Sequence, residues 1–393
     1  MYLQWSIWCL IFGQLLTEPL LSPGGLLANG SEVDFVGIGH ERQGRLFPFY
    51  TIGRIANIPC RATNGLTGTC LIRGQCSDNA GLAGGTCSTN TNQATCCIIS
   101  RTCGGSSNLN STYFNNQGYP ALTTAGGSCS FTVTPGSNIC QLRIDFRALT
   151  LAQPDGDGNC LTDVLTITGG STQVPNICGE NSGQHVYVNF AEANPITIRV
   201  STSGSNTLSR QWSFELSQIA CDSEWKAPSG CLQYYMEPTG VISSFNYNFG
   251  ANPNLNSLGL PGSRQIASQQ YGICIRPAAD QCSITYSLPT NAPFGFTVSE
   301  PADAVAADMI GSGALMLNGQ LCTTDYIIIP DPTISDAAVA GTEFLDRFCG
   351  LGLYPVTSNV LPFVVYVVWD ENESPDSANR GFSLAYSQNS CGI

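Results

Sequence analysis

Short runs of alternating apolar and polar residues recur along the chain, and each is five or six residues long. DVLTI (Asp163–Ile167), VYVNF (Val186–Phe190), ITIRVS (Ile196–Ser201) and WSFEL (Trp212–Leu216) all follow this rhythm. A period of two places one face of a strand inward and the other outward. Clusters of Gly, Pro, Asn and Ser separate the runs, which is the spacing of an antiparallel sandwich. PFVVYVVW (Pro362–Trp369) is apolar throughout but only eight residues long. That is too short to cross a bilayer, so it is expected to be a buried strand. No stretch has the period of an amphipathic helix. The expected fold class is therefore all-β.

One apolar run breaks the rhythm. WSIWCLIFGQLL (Trp5–Leu16) has the length of a signal-peptide core and is too short to span a membrane. We expect a signal peptide over 1–22, with cleavage after Ser22 or after Ala28. A low-complexity leader over 23–59 follows, within which Arg42-Gln-Gly-Arg45 offers a processing site after Arg45.

Composition narrows the picture. The chain has 393 residues, of which 11% are charged, with a net charge of −13. Such a surface repels a nucleic-acid backbone and favours basic partners or cations. The 19 cysteines stand against only two histidines, His40 and His185, and there is no pair of C-x-x-C knuckles. This excludes zinc modules and points to a disulfide framework in a secreted protein. Removal of the signal segment takes Cys9 with it and leaves an even number. Sequons at Asn29, Asn110 and Asn372 fit the same route, with Asn110 the favoured glycan site.

Six cysteines crowd into Cys60–Cys97, a segment too small to hold itself by a hydrophobic core. Spacing alone leaves fifteen connectivities open. The order Cys60, Cys70, Cys76, Cys87, Cys96, Cys97, with NGLTGTC (Asn64–Cys70) between the first two, resembles the clip domain of arthropod extracellular proteases. The resemblance implies the pairs Cys60–Cys96, Cys70–Cys87 and Cys76–Cys97, and a role in regulatory contacts. Its third-to-fourth interval is shorter than in many clip domains, so the module over 60–97 is clip-like. No Gly-Asp-Ser-Gly-Gly motif follows. His185 lies in a strand pattern with no marked nucleophile or acid beside it, and an enzyme is not expected.

After residue 100 the cysteines repeat. Cys103, Cys129, Cys140, Cys160, Cys178, Cys221 run parallel to Cys231, Cys274, Cys282, Cys322, Cys349, Cys391. Their surroundings agree: NCLTDVLTITGG with LCTTDYIIIP, PNICGE with DRFCGL, and RQWSFELSQIAC with RGFSLAYSQNSC. This is a duplicated β unit. Each copy, 103–221 and 231–391, resembles a CUB domain, a jelly-roll-like β-sandwich, through C-x-x-D before an apolar strand, the returning Cys-Gly and a closing aromatic strand. The family's usual pairs map to Cys103–Cys129, Cys160–Cys178, Cys231–Cys274 and Cys322–Cys349. The cysteines left over imply Cys140–Cys221 and Cys282–Cys391, which are not standard for the family. A clip-like module ahead of two such repeats resembles secreted CUB-domain proteins of insects.

Many CUB domains bind calcium through a Glu, the Asp of C-x-x-D and an Asp in a later loop. Calcium takes several hard oxygen ligands. The second copy supplies Asp325 and Asp370, with Glu300 near the third position; the first supplies only Asp163. The resemblance implies a calcium site at Glu300, Asp325 and Asp370, with Asp163 the weaker counterpart. The expected function is a secreted, non-enzymatic binding protein for protein or glycan partners, with an acidic rim suited to a basic side chain. The alternatives are a non-catalytic regulator or decoy of a clip-domain protease cascade, or a structural matrix protein.

Overall fold

Strands dominate, as the alternating pattern requires. The computed structural model describes residues 58–87, 94–204, 207–290, 292, 294–334 and 346–392. These belong to one unit spanning Arg54–Ile393. The signal segment and the leader up to residue 57, with Asn29, His40 and Arg45, lie outside the described residues.

The clip-like segment forms a four-stranded sheet in the order Pro59–Arg61, Thr67–Ile72, Ala94–Ile98, Leu82–Thr86. One six-residue helix, Arg73–Asp78, buries Cys76. It is too short to show a helical period in the sequence. Cys60–Cys96, Cys70–Cys87 and Cys76–Cys97 are bonded. The adjacent Cys96 and Cys97 alternate across their strand, so each reaches a different partner.

The rest of the chain forms two sandwiches. The first has β1 (Gly105–Ser107), β2 (Ser111–Asn115), β3 (Gly127–Val133), β4 (Ile139–Thr150), β5 (Asp163–Thr168), β6 (His185–Asn189), β7 (Ile196–Thr202) and β8 (Gln211–Ala220). The second has β9 (Cys231–Tyr235), β10 (Thr239–Ser243), β11 (Gln270–Ile275), β12 (Gln281–Ser287), β13 (Tyr326–Ile328), β14 (Val356–Ser358), β15 (Phe363–Val368) and β16 (Gly381–Ser390).

The topology repeats with an offset of eight strands. One sheet of the first sandwich runs β5-β7-β3-β1, and its counterpart contains β13-β15-β11-β9. The other runs β6-β4-β8-β2, and its counterpart contains β14-β12-β16-β10. Even the exception is copied: β1 pairs parallel with β3, and β9 pairs parallel with β11. The second copy adds the short strands Met316–Asn318 and Pro332–Ile334 at sheet edges, and Arg347–Gly350 between Met316–Asn318 and β13.

The disulfides follow the same offset. Cys103–Cys129 matches Cys231–Cys274, and Cys160–Cys178 matches Cys322–Cys349. Cys140–Cys221 and Cys282–Cys391 each tie the fourth strand of a sandwich to the end of its eighth, across separations of 81 and 109 residues. In the chain-entropy account, each such closure restricts the unfolded state by roughly 4–5 kcal/mol.

Inward-facing residues of both sandwiches join one apolar cluster, with Phe114, Phe131, Phe146 and Phe214 on one side and Phe296, Phe348, Phe363 and Trp369 on the other.

Candidate metal centre

Asp325 stands at the mouth of β13, directly after Cys322-Thr-Thr. The bond from Cys322 to Cys349 anchors this corner. Asp325 is fully buried. The backbone N–H of Asp370 donates to its Oδ1 at 2.8 Å, while no N–H or hydroxyl group of the described residues reaches its Oδ2.

The loop leaving β15 supplies the rest. Asp370 Oδ1 accepts the N–H of Asn372 at 2.7 Å, and Asn372 Oδ1 accepts that of Ser374 at 3.2 Å. These side-chain turns wind the loop, a habit of Asp and Asn. The winding brings the buried side chains of Glu373 and Asp376 to Asp325. One carboxylate oxygen from each of Asp325, Glu373 and Asp376 lies within 4.8 Å of the others. Glu373 Oε2 accepts a long 3.4 Å hydrogen bond from Ser263, and Glu373 Oε1 has no partner. Among the described residues, none of the three carboxylates is in an ion pair.

Three acids in such a space cannot all hold a charge unaided. Burial, reinforced by its acidic neighbours, pushes the Asp325 carboxyl up to about 8. Burial likewise raises Asp376 to about 6, although a hydrogen bond from the protonated Asp325 carboxyl and then the backbone N–H of Glu300 partly offset it. Glu373 is raised well above the ordinary range by burial and by Asp325 and Asp376.

The first sandwich shows what removes this strain. Asp163 occupies the place of Asp325, at the start of β5, and it is also fully buried. Arg210 grips it with Nε to Oδ2 at 2.8 Å and Nη2 to Oδ1 at 2.9 Å. The N–H groups of Ala152 and Ser203 complete its acceptor sites. Burial favours the neutral acid, but these bonds outweigh it and hold the Asp163 pKa below its ordinary value. The corresponding arginine of the second sandwich is Arg380, just before β16. Its guanidinium turns away, to the carbonyls of Ala378 and Phe249 and over the Phe294 ring. One copy therefore carries its own cation, and the other has three acids and none.

The expected ligand set is accordingly revised. Asp325 is in the cluster. Glu300 is exposed and contributes its backbone N–H to Asp376, not its carboxylate. Asp370 spends its carboxylate on the loop turn and its N–H on Asp325. Asp163 is closed off by Arg210. Glu373 and Asp376 were missed, because nothing in DENESPDS says which acids turn inward. The density of acids there, in a chain with so few charges, was the available signal.

The oxygens present suit a hard divalent cation. All are carboxylates, no nitrogen or sulfur competes, and two buried oxygens are reached by no N–H or hydroxyl group of the described residues. Calcium bound there would supply the positive charge that Arg210 supplies to Asp163.

The cluster also sits against the first sandwich. The segment 246–268 of the second sandwich runs between them. Asn252 Nδ2 donates to the carbonyls of Pro154 and Asp155, and Ser257 donates twice to Asp157 Oδ1. On its other side, Asn256 Nδ2 donates to the Ser374 carbonyl, and Ala378 N–H donates to that of Pro261. Gly158 of the first sandwich has φ +87°, and a Cβ there would collide with Glu373 Cγ.

This is a disulfide-braced, duplicated β-sandwich protein with an acidic centre in its second copy. Residues 228–389, which hold all but the last residue of the second sandwich, match the family model of the animal CUB domain. CUB domains generally mediate protein binding outside the cell and are typically not catalytic. A 111-residue stretch, 27% of this chain, is 32% identical to the cubilin homolog of Drosophila melanogaster and spans 3% of that protein's length. Among solved structures, the CUB1-EGF-CUB2 domains of rat MASP-1 align at 12% identity and TM-score 0.25, covering 72% of this chain and 99% of that one. The MASP-1 CUB2 domain bound to Ca2+ aligns at 18% identity and TM-score 0.25, covering 29% and 98%. No described helix is long and apolar enough to cross a membrane.

Proposed function

We propose that this is a secreted, non-enzymatic binding protein whose second sandwich holds calcium at Asp325, Glu373 and Asp376 and presents the loop around them to a basic side chain of an extracellular protein. The observation that carries the reading is the pair of buried carboxylate oxygens, on Asp325 and Glu373, that no N–H or hydroxyl group of the described residues reaches. Leaving such groups unpaired is costly, and a divalent cation removes the cost. The contrast with Asp163, which keeps an arginine in the same place, supports it. The exposed acids beside the cluster, Glu300 and Glu371, suit a basic partner at its rim. Nine disulfides and the exposed sequon at Asn372 fit the secretory route.

The test is calorimetric titration of the purified secreted protein with calcium after chelation. The expected result is one site per chain, lost in Asp325→Ala and unaltered in an exposed control, Asp222→Ala. Heats equal to the dilution blank would refute the metal assignment.

A further inference from the structure

Single exposed leucines are ordinary on a protein surface, but here three crowd one tight turn. Leu255, Leu258 and Leu260 are 66%, 67% and 42% exposed. They lie in the segment 246–268, within a run that carries no charged residue from Glu237 to Arg264.

The turn is inside out. Leu255 and Pro261 form a bridged pair across it, and the Asn256 N–H donates to the Leu260 carbonyl at 2.9 Å. Its polar side chains are the ones that bind inward. Asn256 is buried; its Oδ1 accepts the N–H groups of Leu258 at 3.0 Å and Leu260 at 2.8 Å, and its Nδ2 donates to the Ser374 carbonyl at 3.0 Å. The N–H and hydroxyl of Ser257 both donate to Asp157 Oδ1, at 2.9 and 3.1 Å. These bonds fix the backbone and leave the leucines outside. A turn serving only its own fold would bury Leu and expose Asn. Leucines held outward on a backbone already ordered lose little entropy when a partner covers them.

The surroundings narrow the partner. Asp157 stands on one side of the turn, and on the other is the loop that carries the exposed Glu371. Residues 222–393 hold 16 acidic residues against 5 basic ones. That field opposes an anionic membrane, and a second copy would bring the same field to the contact. A neutral bilayer is not repelled, but three leucine side chains carry less hydrocarbon than one myristoyl chain, which by itself anchors only marginally. A protein segment with aliphatic residues beside Lys or Arg answers both features, its apolar face on the leucines and its charge at the carboxylates. We infer that the leucine turn is the apolar half of a docking surface whose acidic half is the rim proposed above, and that together they take a cationic, amphipathic segment of an extracellular protein. The inference rests on the reading of that rim as a site for a basic partner.

Two synthetic helical peptides of equal charge and about 18 residues, five helical turns, test this on the full secreted protein by fluorescence anisotropy. One is built of Lys and Leu with the leucines on one face, and the other has Ser in place of every Leu. The Lys–Leu peptide should bind at least tenfold more tightly. Leu258→Ser should weaken it roughly tenfold, the worth of covering one exposed leucine, and leave the Lys–Ser peptide, the calcium titration and the melting temperature unchanged. Leu82→Ser, at an equally exposed leucine of the clip-like sheet, should bind both peptides like wild type. Phosphatidylcholine vesicles should not carry the protein down on sedimentation. Equal affinity of the two peptides for wild type would overturn the inference, as would Lys–Leu binding that survives Leu258→Ser, or vesicle binding that Leu258→Ser abolishes. Lys–Ser binding without a preference for Lys–Leu removes the leucine turn and leaves the basic-partner rim standing; binding of neither peptide removes both. Calcium heats on the same samples read the metal assignment separately.

Discussion

The sharpest contrast between the two copies lies in single residues. Asp163 and Asp325 begin equivalent strands and are equally buried, yet one meets Arg210 and the other meets two more acids. Replacing Arg210 by Ala should therefore destabilise the protein by about 3–5 kcal/mol, because it strands a buried carboxylate, and urea unfolding reads that loss. Asp325→Asn should do the reverse in the calcium-free protein. It removes one of three mutually repelling acids, so the melting temperature under chelator should rise while the calcium-dependent gain disappears. The pH dependence has a definite sign. Asp325 has an ordinary pKa of 3.8 and about 8 in the folded chain. The folded state thus holds the proton more tightly, and its advantage is complete below pH 3.8 and lost as pH rises through 8. The calcium-free protein should lose melting temperature across that window, and calcium should restore most at the alkaline end, where no proton competes for the carboxylates. The Asp of C-x-x-D was legible from the sequence as a candidate, and the structure places Asp325 in the acid cluster. Its partners were not, since a side chain's direction in an irregular loop leaves no periodic trace.

At the level of elements, the strands were legible because period-two alternation and paired cysteine spacing point to the same registers. The added short strands of the second copy and the helix Arg73–Asp78 were not, being too brief to carry a pattern. β6 was legible as a strand, but its docking role was not. His185 on β6 meets the backbone of Tyr234 on β9 at 3.0 Å, and Tyr187 and Tyr235 pack edge-on to its ring. Burial, helped by the Arg143 charge, holds its pKa down at about 4, against an ordinary 6.5. The unfolded chain therefore takes up a proton between those values that the folded chain refuses. Stability falls as pH drops from 6.5 to 4. This slope opposes that of the acidic cluster, so the two must be separated by a variant. His185→Gln keeps a polar side chain at the Tyr234 backbone and cannot titrate. Urea midpoints at pH 7 and pH 5 should differ less in favour of pH 7 for His185→Gln than for wild type. Identical shifts in both proteins would show that His185 does not contribute.

The whole molecule holds its two copies together through the segment 246–268, in which the sequence pattern marked no element. The connection between Cys221 and Cys231 is short and carries Pro228 and Gly230, which limits freedom. The larger restraint is the segment 246–268, bonded to Pro154, Asp155 and Asp157 on one side and to the acid loop on the other. A cation held by the acid cluster would therefore share residues with the seating of the first sandwich, and an equilibrium at one would bias the other. Gly158 is the point of contact. Its positive φ and its closeness to Glu373 mean that Gly158→Ala must either twist the 154–159 loop or push Glu373 out of the cluster. Calcium should bind this variant at least tenfold more weakly, and hydrogen exchange should speed up across 246–268 while the inner strands β4 and β8 keep their protection. Gly230→Ala is the matched control. Its φ of +88° carries the same backbone penalty, but nothing lies within 4 Å of the added Cβ. If both variants lose the same modest stability and both bind calcium like wild type, the cluster and the junction are independent. Weaker calcium binding confined to Gly158→Ala means that the cation in the second sandwich also holds the first one in place.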